Sequence, residues 1–433
     1  MPDASRRRFL TTLGAAALGP VLSRTLHGET TRPSDVLGGL PLPSPTRGVP
    51  VRTITAGVAL ERLTERGAVE RALQALGRAR RRFEAEGYDV QTTRVTLPPR
   101  VAALDAGARR GALDAILALD ALVASAGARC SLGPVLTADR PDDALAAWAA
   151  DLVRATRVTS FSVVVASPAG GVHAHGAAVA AAVMRSVADA VPDGGGSFRF
   201  AAAANVPAGT PFFPVGWHDG PNALAVGLQS ADLVRAAFSD ATDVEDARRR
   251  LTARMTAELR EVERIASEAA RAEGLRYGGI DPSPAPLGEQ SSIGAALEAL
   301  TRVPFGGAGT LRACALVTDV LKSLPVRQCG YAGLMLPVLE DAVLGRRAAE
   351  GRYGLRDLLL FSSVCGTGLD VVPVPGDTPP ETLTNIVLDV AAQSVKLRKP
   401  LSARLYLVSG KAAGDPVHFD DPLLTDSVVF RAS

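Results

Sequence analysis

The sequence predicts an α/β fold in which helices cover a largely parallel sheet. Short runs rich in β-branched residues alternate along the chain with long amphipathic runs of Ala, Leu and Arg. This alternation is typical of parallel strands joined by helical crossovers. The chain has 433 residues, of which 47% are hydrophobic, so it is long enough to bury a large core.

The alternation is clearest in the first half of the chain. Strands are predicted at 51–60, 89–97, 128–135, 159–167, 197–205 and 222–229, and helices at 61–87, 101–126, 141–156 and 176–191. The rhythm continues with helices at 243–275 and near 291–301, 309–324 and 379–396, and with strands near 277–281, 333–337, 367–373 and 402–409. About ten strands are too many for an eight-stranded barrel and are compatible with a larger one. No repeat of fixed period divides the chain, so residues 51–433 are predicted to form a single domain.

The N-terminus predicts export from the cytoplasm. The stretch "SRRRFLTTLGAAALGPVLS" places Ser5, Arg6 and Arg7 before a short apolar run, in a pattern similar to a twin-arginine signal. The run is too short to span about 30 Å of hydrocarbon. Residues 1–23 are therefore predicted to be an export signal, read by the twin-arginine translocase, that leads to a periplasmic or extracellular location without a stable membrane span. A disordered basic tail is the alternative, and residues 24–50 form a Pro/Gly-rich leader.

The charge balance argues against nucleic-acid binding. The formal net charge is +2, and residues 1–23 hold three arginines and one aspartate, so the remainder is neutral. Without a basic surplus, phosphate neutralisation has little support. The chain has 43 arginines and four lysines. We interpret this bias as genome composition, because many of the arginines lie among acidic residues in helical runs, where a solvated face is expected.

The cysteines and histidines do not predict a metal site. Cys130, Cys314, Cys329 and Cys365 form no C-x-x-C pair, which argues against zinc ribbons and thioredoxin-like motifs, and disulfides are not expected to drive folding. The pair His173 and His175 has no evident third ligand. No metal site is predicted, and no cofactor can be named.

Two polar loops carry candidate chemical groups. "NVPAGTPFFPVGWHDGPN" (205–222) contains His218, which could act as a general acid or base or could hydrogen-bond the loop's own backbone. "GGIDPSPAPLGEQSSIG" (278–294) contains Asp281 and a serine pair. Ser291 or Ser292 is expected to cap a helix beginning at Ile293, and that helix end could also hold an anion.

A glycine run and a cysteine loop add further candidates. In "PFGGAGT", the backbone N–H groups of Gly307, Gly309 and Thr310 could cradle a carboxylate or phosphate, although the lysine of a P-loop is absent and close packing explains the glycines equally well. In "SSVCGTGLDVVPVPGDT" (362–378), Cys365 ends a predicted helix, where the helix dipole disfavours thiolate. Cys365 is either a catalyst or a small buried side chain. Asp377 or Thr378 is expected to cap the next helix.

Several motifs in one order resemble a known family. "AAAANVPAGTPFFPVGWHDG", "GIDPSPAP", "GGAGT", "GYAGLMLPVLED", "SSVCGTGLDVVPVPGDT" and "LYLVSGKAAGD" are similar to those of the domain of unknown function 711 family, also called uncharacterised protein family 0210. The resemblance covers roughly residues 50–425. It implies a ten-stranded α/β barrel resembling that of pyruvate formate-lyase-like enzymes, but no settled activity. The tail "LLTDSVVFRAS" lacks the glycine of glycyl radical enzymes, so radical chemistry is not expected.

The leading hypothesis is an exported enzyme of unknown reaction class that acts on a small, anionic substrate by cysteine and histidine chemistry. The residues proposed for catalysis are Cys365, His218, Asp281 and Asp377, and those for substrate binding are Asn205, Ser292, Gly307, Gly309 and Thr310. The alternative is a noncatalytic protein that binds a small molecule. A structural or assembly role remains a third option, and homo-oligomerisation is left open.

Overall fold

A ten-stranded mixed sheet with helices packed around it forms the protein, in a computed structural model that describes residues 48–432. The strands are β1 Val51–Gly57, β2 Val90–Thr96, β3 Arg129–Leu136, β4 Thr159–Ser167, β5 Gly171–Val172, β6 Phe200–Ala204, β7 Ala223–Leu228, β8 Arg276–Asp281, β9 Gly368–Pro375, β10 Leu401–Val408, β11 Pro416–Val417 and β12 Ser427–Val428. The first ten belong to the large sheet, and β11 pairs with β12. The predicted export signal and most of the predicted leader lie outside the described residues.

The helices follow the strands as the sequence predicts. They are α1 Arg66–Ala85, α2 Ala106–Gly111, α3 Leu113–Ser125, α4 Leu145–Ala155, α5 Ala174–Ala190, α6 Gly195–Phe198, α7 Ala231–Ser239, α8 Val244–Ala272, α9 Ile293–Thr301, α10 Thr310–Ser323, α11 Ala342–Ala349, α12 Leu355–Ser362 and α13 Pro380–Leu397. Within residues 48–432, none of them combines the length and the apolar character needed to cross a membrane.

Several regions differ from the prediction. The helix expected at 101–126 is divided into α2 and α3, because Asp105 caps α2 with a bond from Ala108 N at 2.8 Å and Gly111 ends that helix. Helices α6, α7 and α11 were not predicted, and α6 (Gly195–Phe198) overlaps the start of the strand predicted at 197–205. The segment near 333–337 does not form the regular strand that was expected, because a proline at 337 and nearby glycines interrupt regular pairing.

The sheet contains two groups of parallel strands that run in opposite directions. Strands β1, β2, β3, β4 and β6 are mutually parallel in that order. At one side β7 pairs antiparallel with β1 and is followed by the parallel strand β8. At the other side β10 pairs antiparallel with β6 and is followed by the parallel strand β9. The strand order therefore has β8 at one end and β9 at the other.

One segment, residues 327–338, hydrogen-bonds to both of these end strands. Next to β8, Ile280 N donates to Arg327 O at 2.8 Å and Cys329 N donates to Ile280 O at 3.0 Å. Next to β9, Val338 N donates to Asp370 O at 3.1 Å. Both contacts are parallel bridges.

The two faces of the sheet have different surroundings. On β6, Phe200, Ala202 and Ala204 belong to the main hydrophobic core that the strands form with the helices. The alternate residues Ala201 and Ala203 belong to a separate apolar cluster. We call the face that bears Ala201 and Ala203 the second face. Side chains on β10 alternate in the same way, which places Ser402 and Arg404 on the second face.

The sheet curves strongly toward its second face. Strands β1 and β10 are five steps apart in the strand order, which corresponds to about 24 Å along the sheet at roughly 4.8 Å per strand. Nevertheless, the Glu340 carboxylate lies 3.3 Å from Arg52 Nη2 on β1 and 2.9 Å from Arg404 Nη2 on β10. A single carboxylate can bridge these strands only because the second face is concave.

Candidate functional site

Residues 205–222, which we call the cover segment, lie across the second face. Thr55 Oγ on β1 donates to Pro211 O at 3.2 Å, and Ser131 Oγ on β3 donates to Pro214 O at 3.4 Å. An extra carbon on Gly57 would lie 2.1 Å from His218 Nδ1, so the glycine permits this close approach. The segment follows β6 directly, which places it at the carboxyl end of the parallel group.

His218 is buried and hydrogen-bonded to the backbone of its own segment. Its side chain contacts Gly220 O and Pro221 O, each 3.1 Å from Nε2. Carbonyl oxygens only accept, so Nε2 carries a hydrogen. Burial lowers the pKa of His218, against the smaller effect of these hydrogen bonds. These contacts match the backbone-bonding alternative, and proton transfer by His218 stays a prediction.

Cys365 lies in the main hydrophobic core with no exposed surface. Its carbonyl oxygen accepts a 2.6 Å hydrogen bond from Lys399 Nζ, which also binds Ser363 O at 2.9 Å. The Lys399 ammonium group therefore provides a donor for two backbone carbonyl oxygens just after the end of α12. Burial raises the pKa of the neighbouring thiol Cys314. Catalysis by the Cys365 thiol stays a prediction.

Asp281, the last residue of β8, accepts hydrogen bonds from segment 327–338. Its Oδ1 accepts from Ser283 Oγ at 2.6 Å and from Ala332 N at 3.1 Å, and its Oδ2 accepts from Tyr331 N at 2.8 Å. Burial raises the pKa of Asp281, although these hydrogen bonds oppose the shift. Hydrogen-bond donors of the chain itself occupy both carboxylate oxygens of Asp281. A catalytic role for Asp281 stays a prediction.

Ser292 caps α9, as the sequence predicts. Its Oγ accepts from Ala295 N at 2.9 Å and donates to Asp341 Oδ1 at 2.7 Å. Asp341 Oδ2 accepts from Ile293 N at 2.6 Å, and Oδ1 also accepts from Leu344 N at 3.0 Å. One buried carboxylate thus serves the N-termini of α9 and α11. The N-terminus of α9 was expected to be able to hold an anion, and the Asp341 carboxylate occupies that position.

The glycine run opens α10, as predicted, but lies among helices. Gly309 is the N-cap residue with φ +96°, and Gly307 and Gly309 are exposed. Thr310 Oγ accepts from Gly306 N at 3.2 Å, and α10 packs against α8 and α9. Asp377 is exposed. Among the described residues, no hydrogen bond joins Asp377 or the glycine run to the cover segment.

The cap predicted for the helix after "PGDTPP" is wrong. Pro379, rather than Asp377 or Thr378, occupies the N-cap position of α13. The Thr378 hydroxyl instead donates to Pro375 O at 2.6 Å within the preceding turn. Thr378 therefore belongs to the turn that precedes the N-cap residue.

Asn205 links the cover segment to the surroundings of Cys365. It has the left-handed backbone φ of 52°, and its Nδ2 donates to Ser394 Oγ at 2.8 Å. Ser394 Oγ in turn donates to Lys399 O at 2.6 Å. The Asn205 Oδ1 atom is buried without a hydrogen-bond partner in the described structure. Of the predicted residues, Asn205 and His218 thus share one segment, and Asn205 connects to Cys365 through two residues.

Two arginines on neighbouring strands form the least compensated charged group of the second face. Arg94 on β2 and Arg129 on β3 are direct partners in the parallel register. Arg94 is 8% exposed. Its Nη1 donates only a long bond of 3.4 Å to Pro211 O, and its Nε is buried without a partner. Within residues 48–432, no carboxylate lies within salt-bridge distance of either guanidinium. We call these two residues the arginine pair.

Aromatic rings lie against the arginine pair. The Arg94 guanidinium carbon is 4.9 Å from the Phe213 ring centroid, and that of Arg129 is 5.9 Å from the Phe198 centroid. Burial lowers the pKa of both arginines, and the repulsion from other arginines acts in the same direction. Arg129 is partly exposed, whereas Arg94 is buried.

A balanced ionic network lies beside the arginine pair. Arg404 Nε donates to Asp370 Oδ1 at 2.8 Å, and Glu340 bridges Arg404 and Arg52 as described above. Gln91 Oε1 accepts from Arg52 Nη1 at 3.2 Å. The side chains of this network are only 6–15% exposed. Two arginines and two carboxylates therefore compensate each other at the concave face.

A strained backbone directs Asp370 to this network. The register between β9 and β10 shifts between Ala403 and Leu405, which leaves two residues opposite Arg404. Val371, next to Asp370, has φ 45°, which is rare for a β-branched residue. Such bulges commonly redirect side chains at functional sites.

Sequence reasoning missed these arginines because it assigned arginine to solvated helix faces. A usable signal was present. Arg52, Arg94 and Arg404 each stand inside a strand of otherwise β-branched, apolar or small residues, and Arg129 opens one. A charged side chain is unusual in a strand that is buried on both faces.

The described residues contain no group of three or more His, Cys, Asp or Glu side chains arranged to hold a metal ion. His173, considered above as one half of a ligand pair, instead has its Nε2 3.0 Å from Ser167 Oγ. All four cysteines are free.

Comparison with known proteins identifies the family. The chain is 34% identical to a UPF0210 protein of Pyrobaculum arsenaticum over 230 residues, which are 50% of this chain and 51% of the relative. It is 32% identical to a UPF0210 protein of Methanopyrus kandleri over 287 residues, 63% of each chain. The chain thus spans about half to two thirds of the length of these relatives. Because residues 46–420 match the family model described as uncharacterised ACR (DUF711), the chain belongs to the DUF711 family.

Proposed function

We propose that this protein binds a small anionic molecule at the arginine pair. The observation that carries the proposal is the in-register placement of Arg94 and Arg129 without a carboxylate partner in the described chain. Like charges directly opposite each other destabilise a sheet. A buried guanidinium with an unpartnered N–H also carries a desolvation cost. A bound anion would remove both costs.

The proposal includes closure of the sheet into a ten-stranded barrel similar to that of pyruvate formate-lyase-like enzymes. The hydrogen bonds of segment 327–338 to both β8 and β9 support closure. With that segment as a strand, each parallel group would have five strands. The bridge from β1 to β10 through Glu340 supports it as well. An experimental structure with this segment detached from either end strand would contradict closure.

Binding should be tested first with simple anions. We would measure the thermal midpoint of the purified protein against sodium sulfate, phosphate and acetate at constant ionic strength. A ligand at 100 times its dissociation constant stabilises the native state by about 2.7 kcal/mol. At least one anion should raise the midpoint of the wild type more than that of Arg94→Met. Arg260→Gln, at an exposed position on α8, is the control and should respond like the wild type. Equal responses of all three proteins to every anion would refute the proposal.

An enzyme that transforms the bound anion is the second candidate function. Its support is that His218 and Pro211 belong to the same cover segment, and that Pro211 O contacts Arg94. In this proposal His218 exchanges a proton with the ligand and Cys365 acts as nucleophile or second proton carrier. Cys365→Ala and His218→Ala should abolish turnover and retain binding. A protein that only binds would have no turnover to lose.

We also propose export by the twin-arginine pathway, on the basis of Ser5, Arg6 and Arg7 in the N-terminal sequence. A reporter fused to residues 1–50 should leave the cytoplasm. The double substitution Arg6→Lys and Arg7→Lys should retain it there. Export that does not depend on the two arginines would contradict this proposal.

A further inference from the structure

We infer that the ligand of the arginine pair presents a planar carboxylate rather than a tetrahedral phosphoryl or sulfate group. This inference rests on the proposed function and concerns the same site. It follows from the position of the uncompensated charge on the second face and from the in-plane N–H that Arg94 leaves free.

The neighbouring ionic network is already neutral. Arg52 and Arg404 supply two positive charges, and Glu340 and Asp370 supply two negative charges at distances of 2.8–3.3 Å. None of these four groups has a surplus charge to offer a ligand. The requirement for a counter-charge is therefore confined to the arginine pair.

The arginine pair has no carboxylate at salt-bridge distance in the described chain. Burial lowers the pKa of Arg129, and the charge of the half-buried Asp421 opposes this effect. The Asp421 Oδ1 atom accepts instead from Leu423 N at 2.9 Å. The pair therefore keeps a requirement for a negatively charged ligand.

Arg94 keeps one buried in-plane N–H group free. The Phe213 ring covers a face of the guanidinium at 4.9 Å, and Nη1 is turned to Pro211 O. The buried Nε–H has no acceptor. A carboxylate is planar and accepts two parallel N–H bonds from one guanidinium edge, a geometry that a lysine ammonium cannot reproduce. The partly exposed Arg129 would then bind the same carboxylate from the next strand.

The test uses the full chain and four salts at equal ionic strength: sodium formate, sodium acetate, sodium phosphate and sodium chloride. Formate and acetate should raise the thermal midpoint of the wild type and of Arg260→Gln, and phosphate should raise it less. Arg94→Lys keeps the charge but not the planar edge, and should weaken the apparent affinity for acetate about tenfold. Arg94→Met should lose the carboxylate response.

The outcomes separate the two proposals. A larger response to phosphate than to acetate that disappears in Arg94→Met would overturn the carboxylate inference and support anion binding. Arg94→Lys with wild-type acetate affinity would overturn the planar-edge argument in the same way. If no salt distinguishes Arg94→Met from the wild type, both proposals fail. Circular dichroism spectra that match the wild type would establish that each variant is folded.

Discussion

Replacing Arg94 by methionine should stabilise the protein in a buffer that contains no binding anion. The change removes a buried charge but keeps a long side chain of similar volume. Apolar replacement of buried charged groups is often neutral or stabilising. Arg94 is a favourable case because no carboxylate in the described chain would lose its partner.

The expected gain follows from three contributions. If the two guanidinium groups are taken to be as far apart as adjacent strands, about 5 Å, their charges repel each other by about 3 kcal/mol at an effective dielectric constant of about 20. Against this, methionine loses the 3.4 Å bond to Pro211 O, a contribution of about 0.5 kcal/mol. It also loses the contact with the Phe213 ring, a contribution of about 1 kcal/mol. The net effect is a gain of roughly 1–2 kcal/mol.

Urea denaturation in a buffer of low anion concentration measures this difference. We expect a higher urea midpoint for Arg94→Met than for the wild type, with an unchanged slope. Addition of sodium acetate should reduce or reverse the difference, because only the wild type gains ligand. Arg260→Gln controls for the removal of an arginine from a solvated position. A variant less stable than the wild type by more than 1 kcal/mol without acetate would refute the account of an uncompensated charge.

Three further predictions concern the scaffold around the site. Asp341→Asn should lower the free energy of unfolding by about 2–4 kcal/mol in urea titrations. The reason is that an amide cannot accept all the hydrogen bonds that α9 and α11 donate to the carboxylate. An unchanged urea midpoint would contradict a cap shared by the two helices. Gly57→Ala should lower the free energy of unfolding by about 1–3 kcal/mol, because the added methyl group would collide with His218. Gly111→Ala is the control, because its added methyl group meets no atom within 4 Å. Equal effects of the two substitutions would contradict the packing of His218 against Gly57. Because burial lowers the folded-state pKa of His218, the unfolded chain binds the extra proton first, so stability should fall as the pH drops below about 6.5. The urea midpoint of His218→Gln should fall less between pH 7.5 and 5.5, and parallel curves would exclude the histidine.

The sequence predicted elements best where local pattern and burial agree. The long amphipathic run predicted as a helix at 243–275 is α8, Val244–Ala272, because its apolar positions face the core and Asp243 caps its first turn. The apolar strand predicted at 222–229 is β7, Ala223–Leu228. Segment 327–338 could not be predicted as well, because its hydrogen bonds depend on β8 and β9, which are distant in sequence.

The candidate site shows where sequence reasoning ends. His218 lies in the polar loop predicted for it, and Asp281 ends β8, next to the loop predicted for it. The partners of their polar atoms are mainly backbone groups, together with the Ser283 hydroxyl at Asp281, and no residue pattern identifies them. Cys365 was considered either a catalyst or a small buried side chain, and its location in the core depends on how α12 packs. Register is a further long-range property. Only the pairing of β2 with β3 places Arg94 beside Arg129.

A buried polar group indicates a ligand when the described chain leaves it without hydrogen-bond partners. Asp281 and Asp341 are fully buried, yet several N–H and O–H donors of the chain surround each carboxylate, so their burial is explained by the fold alone. Arg94 has a comparable degree of burial without a comparable set of acceptors. An apolar side chain would stabilise the same strand at lower cost. Residues 48–432 supply no carboxylate partner for the arginine pair, and the carboxylate ligand that we propose would supply one.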